Sequence, residues 1–313
     1  MNIKALDTGK QFLLLFTFLV FILGSCVTDK GKEAKNADSS GLSKDFNANA
    51  DDDLTEKINT AKRIFYSLPS PLETAMLIKN AGAVYDGDLL NKVENTSKYN
   101  TNLKMALNLG IYTTDLSYAS LFDQTQATLS YINAAKKMAD GLEILDAIDQ
   151  ATITRLEENI NNRDVIIDII SETLLNSSSF LEDKGLQGTS AIILVGGWVE
   201  GLHIATSLVT PGTDLQKNKL VERIVDQKLS LNIVVSLLEN NKDNAEAQVL
   251  LKDVAELKAI YDKITIEQSE ITPVEDPNTN VTMLKSVSTI KMTQAVFDEL
   301  TRKVKELRTR YIS

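Results

Sequence analysis

The chain has little of the chemistry that most catalytic and metal sites require. Its 313 residues include one cysteine, Cys26, and one histidine, His203. One cysteine excludes an intrachain disulfide, and one histidine excludes any zinc site that needs two. Neither a glycine-rich phosphate loop nor a Gly-x-Ser-x-Gly elbow is present in the sequence. These absences favour a protein that is not an enzyme and that has no cofactor, no metal and no catalytic residues.

Proline is also scarce, and the positions of the five prolines predict long helices. None lies between Leu72 and Thr210, and that stretch has no strand-like alternation of apolar and polar residues. We therefore predict an all-α fold, a multi-helix bundle of about nine or ten helices. Two prolines fall within residues 270–280, which we predict to be a surface loop before the C-terminal helix.

Positive charge is in deficit, because 33 lysine and arginine residues face 43 aspartate and glutamate residues. The formal net charge is −10 at pH 7. Binding to nucleic acid independently of sequence requires lysine and arginine side chains that neutralise phosphates. The charge balance therefore predicts no nucleic-acid partner.

The N-terminal residues have the layout of a secretory signal. Lys4 and Lys10 precede an apolar run, Phe12 to Leu23, which is followed by the small residues Gly24 and Ser25. A membrane-spanning helix needs about 20 apolar residues, so this run is short for a span. Cleavage after the small residues is the interpretation that this layout favours.

The end of this signal, Leu23-Gly24-Ser25-Cys26, resembles the lipobox of bacterial lipoprotein signal peptides. The resemblance implies cleavage between Ser25 and Cys26 and attachment of lipid to the Cys26 sulfur. The lipid bilayer would then be a partner through acylated Cys26. It also implies a place in the cell envelope, on the outer membrane facing the periplasm, with surface exposure left open.

Composition divides the remainder into a tether and a folded part. Residues 26–53 are mostly polar or small, with only isolated apolar side chains, so we predict a disordered, flexible tether behind the lipidated cysteine. Residues 1–25 are the signal peptide in this interpretation. Residues 54–313 are predicted to form a single helical domain.

The C-terminal helix has a regular apolar face. Its apolar residues recur at spacings of three and four, which predicts that this face docks on the bundle. They are Phe297, Leu300, Val304, Leu307 and Tyr311. The helix also has a basic strip, which we predict to be solvated. That strip consists of Arg302, Lys303, Lys305, Arg308 and Arg310.

Polar residues interrupt two otherwise apolar helices, at residues 101–122 and 190–209, which we expect to be central. The five that stand out are Tyr112, Asp115, Tyr118, Glu200 and His203. A carboxylate in such surroundings costs several kcal/mol unless it is paired or hydrogen-bonded. The sequence predicts either a satisfied polar cluster within the core or the lining of a pocket for a metal or small molecule.

These two helices also resemble segments of known envelope proteins. The segments NLGIYTTDLSYAS and GGWVEGLHIAT are similar to those of uncharacterised all-helical lipoproteins of the Bacteroidota, a resemblance that implies location and fold but no activity. Gly201 to Thr206 resembles the Gly-x-His-x-x-Glu motif of imelysin-like proteins, with Thr206 at the glutamate position.

Two hypotheses for function arise from these patterns. The first is a membrane-anchored envelope lipoprotein that acts as a non-enzymatic helical scaffold or accessory interaction module with an envelope protein partner. The second is a carrier of a small molecule or metal, imelysin-like in kind, with its pocket between helices 101–122 and 190–209.

Overall fold

The computed structural model of the protein describes residues 71–145, 150–270, 272–276, 281–285 and 288–313. The predicted signal peptide, the Ser25–Cys26 cleavage site and the tether all lie outside the described residues. The folded part that is described belongs to one compact unit, Ala48–Ser313.

Nine α-helices make up most of the described residues, which confirms the predicted all-α class. They are α1 Pro71–Asn80, α2 Asn102–Leu121, α3 Thr125–Gly141, α4 Gln150–Glu158, α5 Arg163–Asp183, α6 Gln187–Ser207, α7 Lys219–Asn240, α8 Ala245–Tyr261 and α9 Gln294–Tyr311. Two 3-10 helices, Gly87–Leu89 and Val93–Lys98, lie in the connection between α1 and α2. We call residues 84–99 the connecting segment.

Side-chain caps fix where several helices begin. Thr101 accepts a hydrogen bond from Lys104 N at α2, and Thr293 accepts one from Val296 N at α9. Asn218 caps α7 by accepting from two backbone N–H groups. Such caps satisfy N–H groups that the first turn of a helix leaves without partners.

The central pair of the bundle is α2 and α6, as the sequence predicts. Helix α6 is the one described helix that is long and apolar enough to cross a bilayer, but 72% of that stretch is buried inside the protein. Its neighbours are α1, α2, α5, α7, α8 and α9. The apolar character of α6 is therefore that of a core helix enclosed by other helices.

The predicted apolar face of α9 is confirmed. All five of its residues are buried, with Leu300, Val304 and Leu307 at 0% exposure. This face packs on α6 and α8, so α9 closes the bundle against elements that precede it by 30 residues or more.

The predicted surface loop at residues 270–280 is wrong in part. Four strands lie between residues 265 and 291, and one of them, β2, falls within the predicted loop. Strand β1 Thr265–Gln268 pairs with β4 Ser288–Lys291, and β2 Thr272–Asp276 pairs with β3 Val281–Lys285, both antiparallel. The prolines suggested a loop, yet a two-stranded ribbon has open edges where a residue without an N–H is tolerated. Each strand contains two β-branched residues, which favour extended structure.

Candidate functional site

Backbone contact between α2 and α6 positions the central polar residues. A Cβ atom added at Gly110 would lie 1.9 Å from Ile193 O, and one added at Gly196 would lie 2.1 Å from Leu107 O. The two backbones therefore touch at this level, which leaves no space there for a ligand between the helices. Thr114 Oγ1 also donates to Gly197 O across the contact, at 3.1 Å.

Glu200 on α6 is fully buried and pairs with Arg308 from α9. Arg308 Nε donates to Glu200 Oε2 at 3.0 Å, and Arg308 Nη2 donates to Glu200 Oε1 at 3.1 Å. Arg308 Nη2 also donates to the carbonyl oxygen of Leu89 in the connecting segment, at 3.1 Å. One guanidinium therefore joins α6, α9 and the connecting segment through a bidentate, charge-assisted contact.

The predicted solvated basic strip of α9 is wrong at this position. The Arg308 side chain is only 12% exposed, because α6 and the connecting segment cover it. Lys303 is similarly covered, at 14% exposure, and pairs with Glu256 of α8. Arg302, at 66% exposure, is solvated as expected. The spacing of apolar residues identifies the stripe of a helix that is buried. It does not indicate how far the neighbouring elements also cover the residues on either side of that stripe.

Asp115 on α2 is fully buried beside Glu200. Its Oδ2 atom accepts a hydrogen bond from Asn91 N of the connecting segment at 3.1 Å. Its Oδ1 atom has no partner, the one such atom among the buried side chains that the structure describes. Burial, and then repulsion from Glu200, raises the pKa of Asp115 well above its usual range.

His203 lies one turn beyond Glu200 on α6 and is 7% exposed. Burial lowers the pKa of His203, although attraction to Glu200 acts in the opposite direction. Its electrostatic neighbours also include Arg308 and Lys305 of α9, both of which favour the neutral ring. The imidazole is therefore neutral at pH 7 and adds no positive charge to the cluster.

The two predicted tyrosines of α2 bind the connecting segment rather than the carboxylates. Tyr112 OH donates to Lys92 O at 3.0 Å, and Tyr118 OH donates to Val84 O at 3.3 Å. Tyr118 OH also accepts from Asp86 N at 3.0 Å. Burial raises the pKa of Tyr118 to about 12, so both its donor and its acceptor roles persist at neutral pH.

An amide network beside these tyrosines was not predicted. Asn91 Nδ2 donates to Tyr99 OH and to Asn108 Oδ1, both at 3.0 Å. Asn108 Nδ2 donates to Tyr311 O at 3.0 Å, and Tyr99 OH donates to Ile312 O at 3.2 Å. This network holds the connecting segment to the end of α9. Asn108 within an apolar helix was the available signal, whereas Asn91 lies outside any periodic pattern.

We call Asp115, Glu200, His203, Arg308 and Asn91 the central network. Of the five residues predicted from the sequence, Asp115, Glu200 and His203 are in it, and Tyr112 and Tyr118 lie beside it. Within the described residues, no three histidine, cysteine, aspartate or glutamate side chains are arranged to hold a metal ion.

Two small cavities lie near the bundle surface, and neither is lined by the central network. A polar one of about 70 Å³ is lined by Ser120, Asp123, Thr125, Thr128, Ile160 and Asn161. An apolar one of about 20 Å³ lies among α1, α6 and α7 and includes Gly201 in its lining. The second is close to the volume of one water molecule. At Gly201 the close neighbour is the Thr74 side chain, 2.6 Å from an added Cβ atom, and not another backbone.

No family model, curated protein or solved structure matches this chain. A function for the protein is therefore inferred from its sequence and from the contacts of the central network.

Proposed function

We propose that the protein is a lipid-anchored bacterial envelope protein whose helical domain acts as a non-enzymatic scaffold or accessory subunit for an envelope protein partner. The anchor is supported by the sequence around Cys26. One acyl chain gives only marginal membrane binding, whereas two or more on one cysteine anchor a protein stably.

The scaffold proposal depends on one observation, that the central polar groups bind other elements of the fold. Glu200, Arg308 and Asn91 form hydrogen bonds to other elements, with partners up to 219 residues apart in sequence. Catalytic carboxylates and bases instead need to reach a substrate within hydrogen-bonding distance. A network that joins α2, α6, α9 and the connecting segment stabilises a rigid body, which is what a scaffold requires.

The anchor predicts that the protein incorporates fatty acid at Cys26. Cells grown with a labelled palmitate analogue should yield labelled protein, and Cys26→Ala should reduce the label to background, because no other thiol is present. Ser25→Ala is the matched control, since a small residue still precedes the cut and the label should remain. Equal labelling of Cys26→Ala and the wild type would refute the anchor.

The partner is tested by crosslinking in the native membrane followed by purification of the anchored protein. We expect one envelope protein to be recovered with the wild type and to decrease strongly with Cys26→Ala, because the anchor holds both proteins at the same surface. Hydrolysis of a common envelope substrate by the purified protein, abolished by a substitution in the central network, would contradict the scaffold proposal.

A further inference from the structure

We propose that Asp115 and Glu200 form a site for a single proton, held on Asp115 Oδ1, and that this proton keeps α9 and the connecting segment docked on α2 and α6. Loss of the proton at alkaline pH would loosen both elements. This inference does not depend on the lipid anchor or on a protein partner.

The hydrogen bonds around the two carboxyl groups leave a place for one proton. Asp115 Oδ2 is already bound by Asn91 N, and both Glu200 oxygens are bound by Arg308. The Glu200 carboxyl group lies beside Asp115, close enough for a hydrogen bond between them if one of the two carries a proton. Two ionised carboxylates only accept hydrogen bonds, which explains why Asp115 Oδ1 has no partner. A proton on that atom converts the contact between two acceptors into a hydrogen bond.

The charges around Asp115 lead to the same conclusion. Among the described residues that interact with it, Arg308 of α9 is cationic and is already paired with Glu200. The other titratable side chains with a shifted pKa that interact with Asp115 or Glu200 are uncharged at neutral pH, and the Asp86 carboxyl group lies beside Tyr85. They are Tyr85 and Tyr99 of the connecting segment, Tyr112 of α2, Tyr131 of α3 and His203 of α6.

A second ionised carboxylate would therefore leave one uncompensated negative charge in a site fully shielded from water. Such a group takes up a proton rather than remain charged. Lys305 of α9 is a further cation near the site, and it disfavours the charged form of His203.

The sign of the pH dependence is set by the raised pKa of Asp115. In the unfolded chain this group titrates near pH 3.9, so folding takes up a proton between that pH and the higher pKa of the folded state. The stabilisation is complete below about pH 4 and is lost as the pH rises through the folded pKa. His203 has a lowered pKa and acts in the opposite direction. Its contribution to the stability of the folded state is lost as the pH falls below about 6.5.

Asp115→Asn is the sharpest variant, because asparagine has the shape of a protonated aspartate. Its oxygen still accepts from Asn91 N and its amide donates to Glu200 without any proton to lose. We expect the ratio of folded to unfolded protein in the variant, relative to the wild type, to rise with pH by up to about tenfold per pH unit. His203 is present in both proteins, so its contribution cancels in this comparison.

The measurement is urea unfolding of the full-length protein in detergent from about pH 5 to pH 9. Asp298→Asn, on the exposed side of α9, is the matched control and should match the wild type at every pH. Infrared difference spectra provide a direct readout, since the carboxylic-acid C=O stretch of Asp115 should be present at neutral pH and absent in Asp115→Asn. Once the intrinsic increase of amide exchange with pH is divided out, protection from hydrogen exchange at alkaline pH should fall first in the connecting segment and α9.

The proposal is overturned if the wild type has no carboxylic-acid band at neutral pH, or if Asp115→Asn retains that band. A constant stability difference between the two proteins over the whole pH range would also overturn it. If Asp115→Asn does not fold, the infrared titration of the wild type decides the question without it. A band that disappears on alkaline titration, together with reduced protection in α9, supports the proton site.

Discussion

Arg308→Ala is expected to lower the free energy of unfolding by about 3–5 kcal/mol. The substitution leaves Glu200 fully buried without its cation, and it removes a hydrogen-bond donor from Leu89 O. Three elements lose their common contact as a result. Urea unfolding followed by far-ultraviolet circular dichroism gives the measurement.

Arg302→Ala is the matched control for this prediction. Arg302 lies on the same helix and is also paired with a glutamate, Glu306, but its side chain is 66% exposed. An exposed pair of this kind contributes little, so the change should be within about 0.5 kcal/mol. A loss of less than about 1 kcal/mol for Arg308→Ala would mean that water or relaxation compensates Glu200.

A double substitution distinguishes the effect of the unpaired charge on stability from the effect of lost packing. When a buried ion pair is replaced by apolar residues of similar volume, stability is often preserved or increased. Glu200→Met combined with Arg308→Met should therefore recover most of the stability that Arg308→Ala loses. If the double variant is as unstable as the single one, the loss arises from packing or from the missing donor to Leu89 O, and not from the unpaired Glu200 carboxylate.

Gly110→Ala is the second substitution with a large expected effect, a destabilisation of about 3 kcal/mol or more. In a helix without neighbours the same change would stabilise by up to about 1 kcal/mol. Here the new methyl group would lie 1.9 Å from the carbonyl oxygen of Ile193. Backbone atoms cannot move aside individually, so α2 and α6 would have to separate.

Gly141→Ala tests whether the effect depends on backbone contact. A Cβ atom at Gly141 would approach the Met105 sulfur at 2.4 Å, which is also too close, but methionine is flexible and can move. We expect a change within about 1 kcal/mol in either direction. Thermal unfolding of both variants should show a much larger decrease for Gly110→Ala, and equal decreases would contradict the close contact of α2 and α6.

The C-terminal helix α9 was predicted correctly along its apolar face and wrongly at the edge of that face. The spacing of Phe297, Leu300, Val304, Leu307 and Tyr311 predicted burial, and each of these residues is buried. Arg308 lies at the edge, four residues after Val304. A helical period places it there but does not indicate that α6 and the connecting segment cover it. For that reason its solvated position was predicted wrongly.

At residues 265–291 the prediction failed for a different reason, because the local sequence indicated a loop where the structure has strands. Pro273 and Pro277 dominated the local signal and suggested a loop. Pairing of β2 with β3 depends on main-chain hydrogen bonds between residues that lie opposite one another only in the folded chain. Short strands are therefore decided by their partner strand as much as by their own residues.

By itself, the sequence determined the helical class, the apolar helices at the centre and the requirement that Glu200 have a partner. These depend on the local spacing of apolar residues and on the cost of burying a charge. Both can be judged from a single stretch of the sequence. Tertiary structure decided that the partner is Arg308, 108 residues away, and that Asp115 Oδ1 faces no donor. Those facts depend on which surfaces of α2, α6, α9 and the connecting segment pack together. No local sequence pattern indicates that packing.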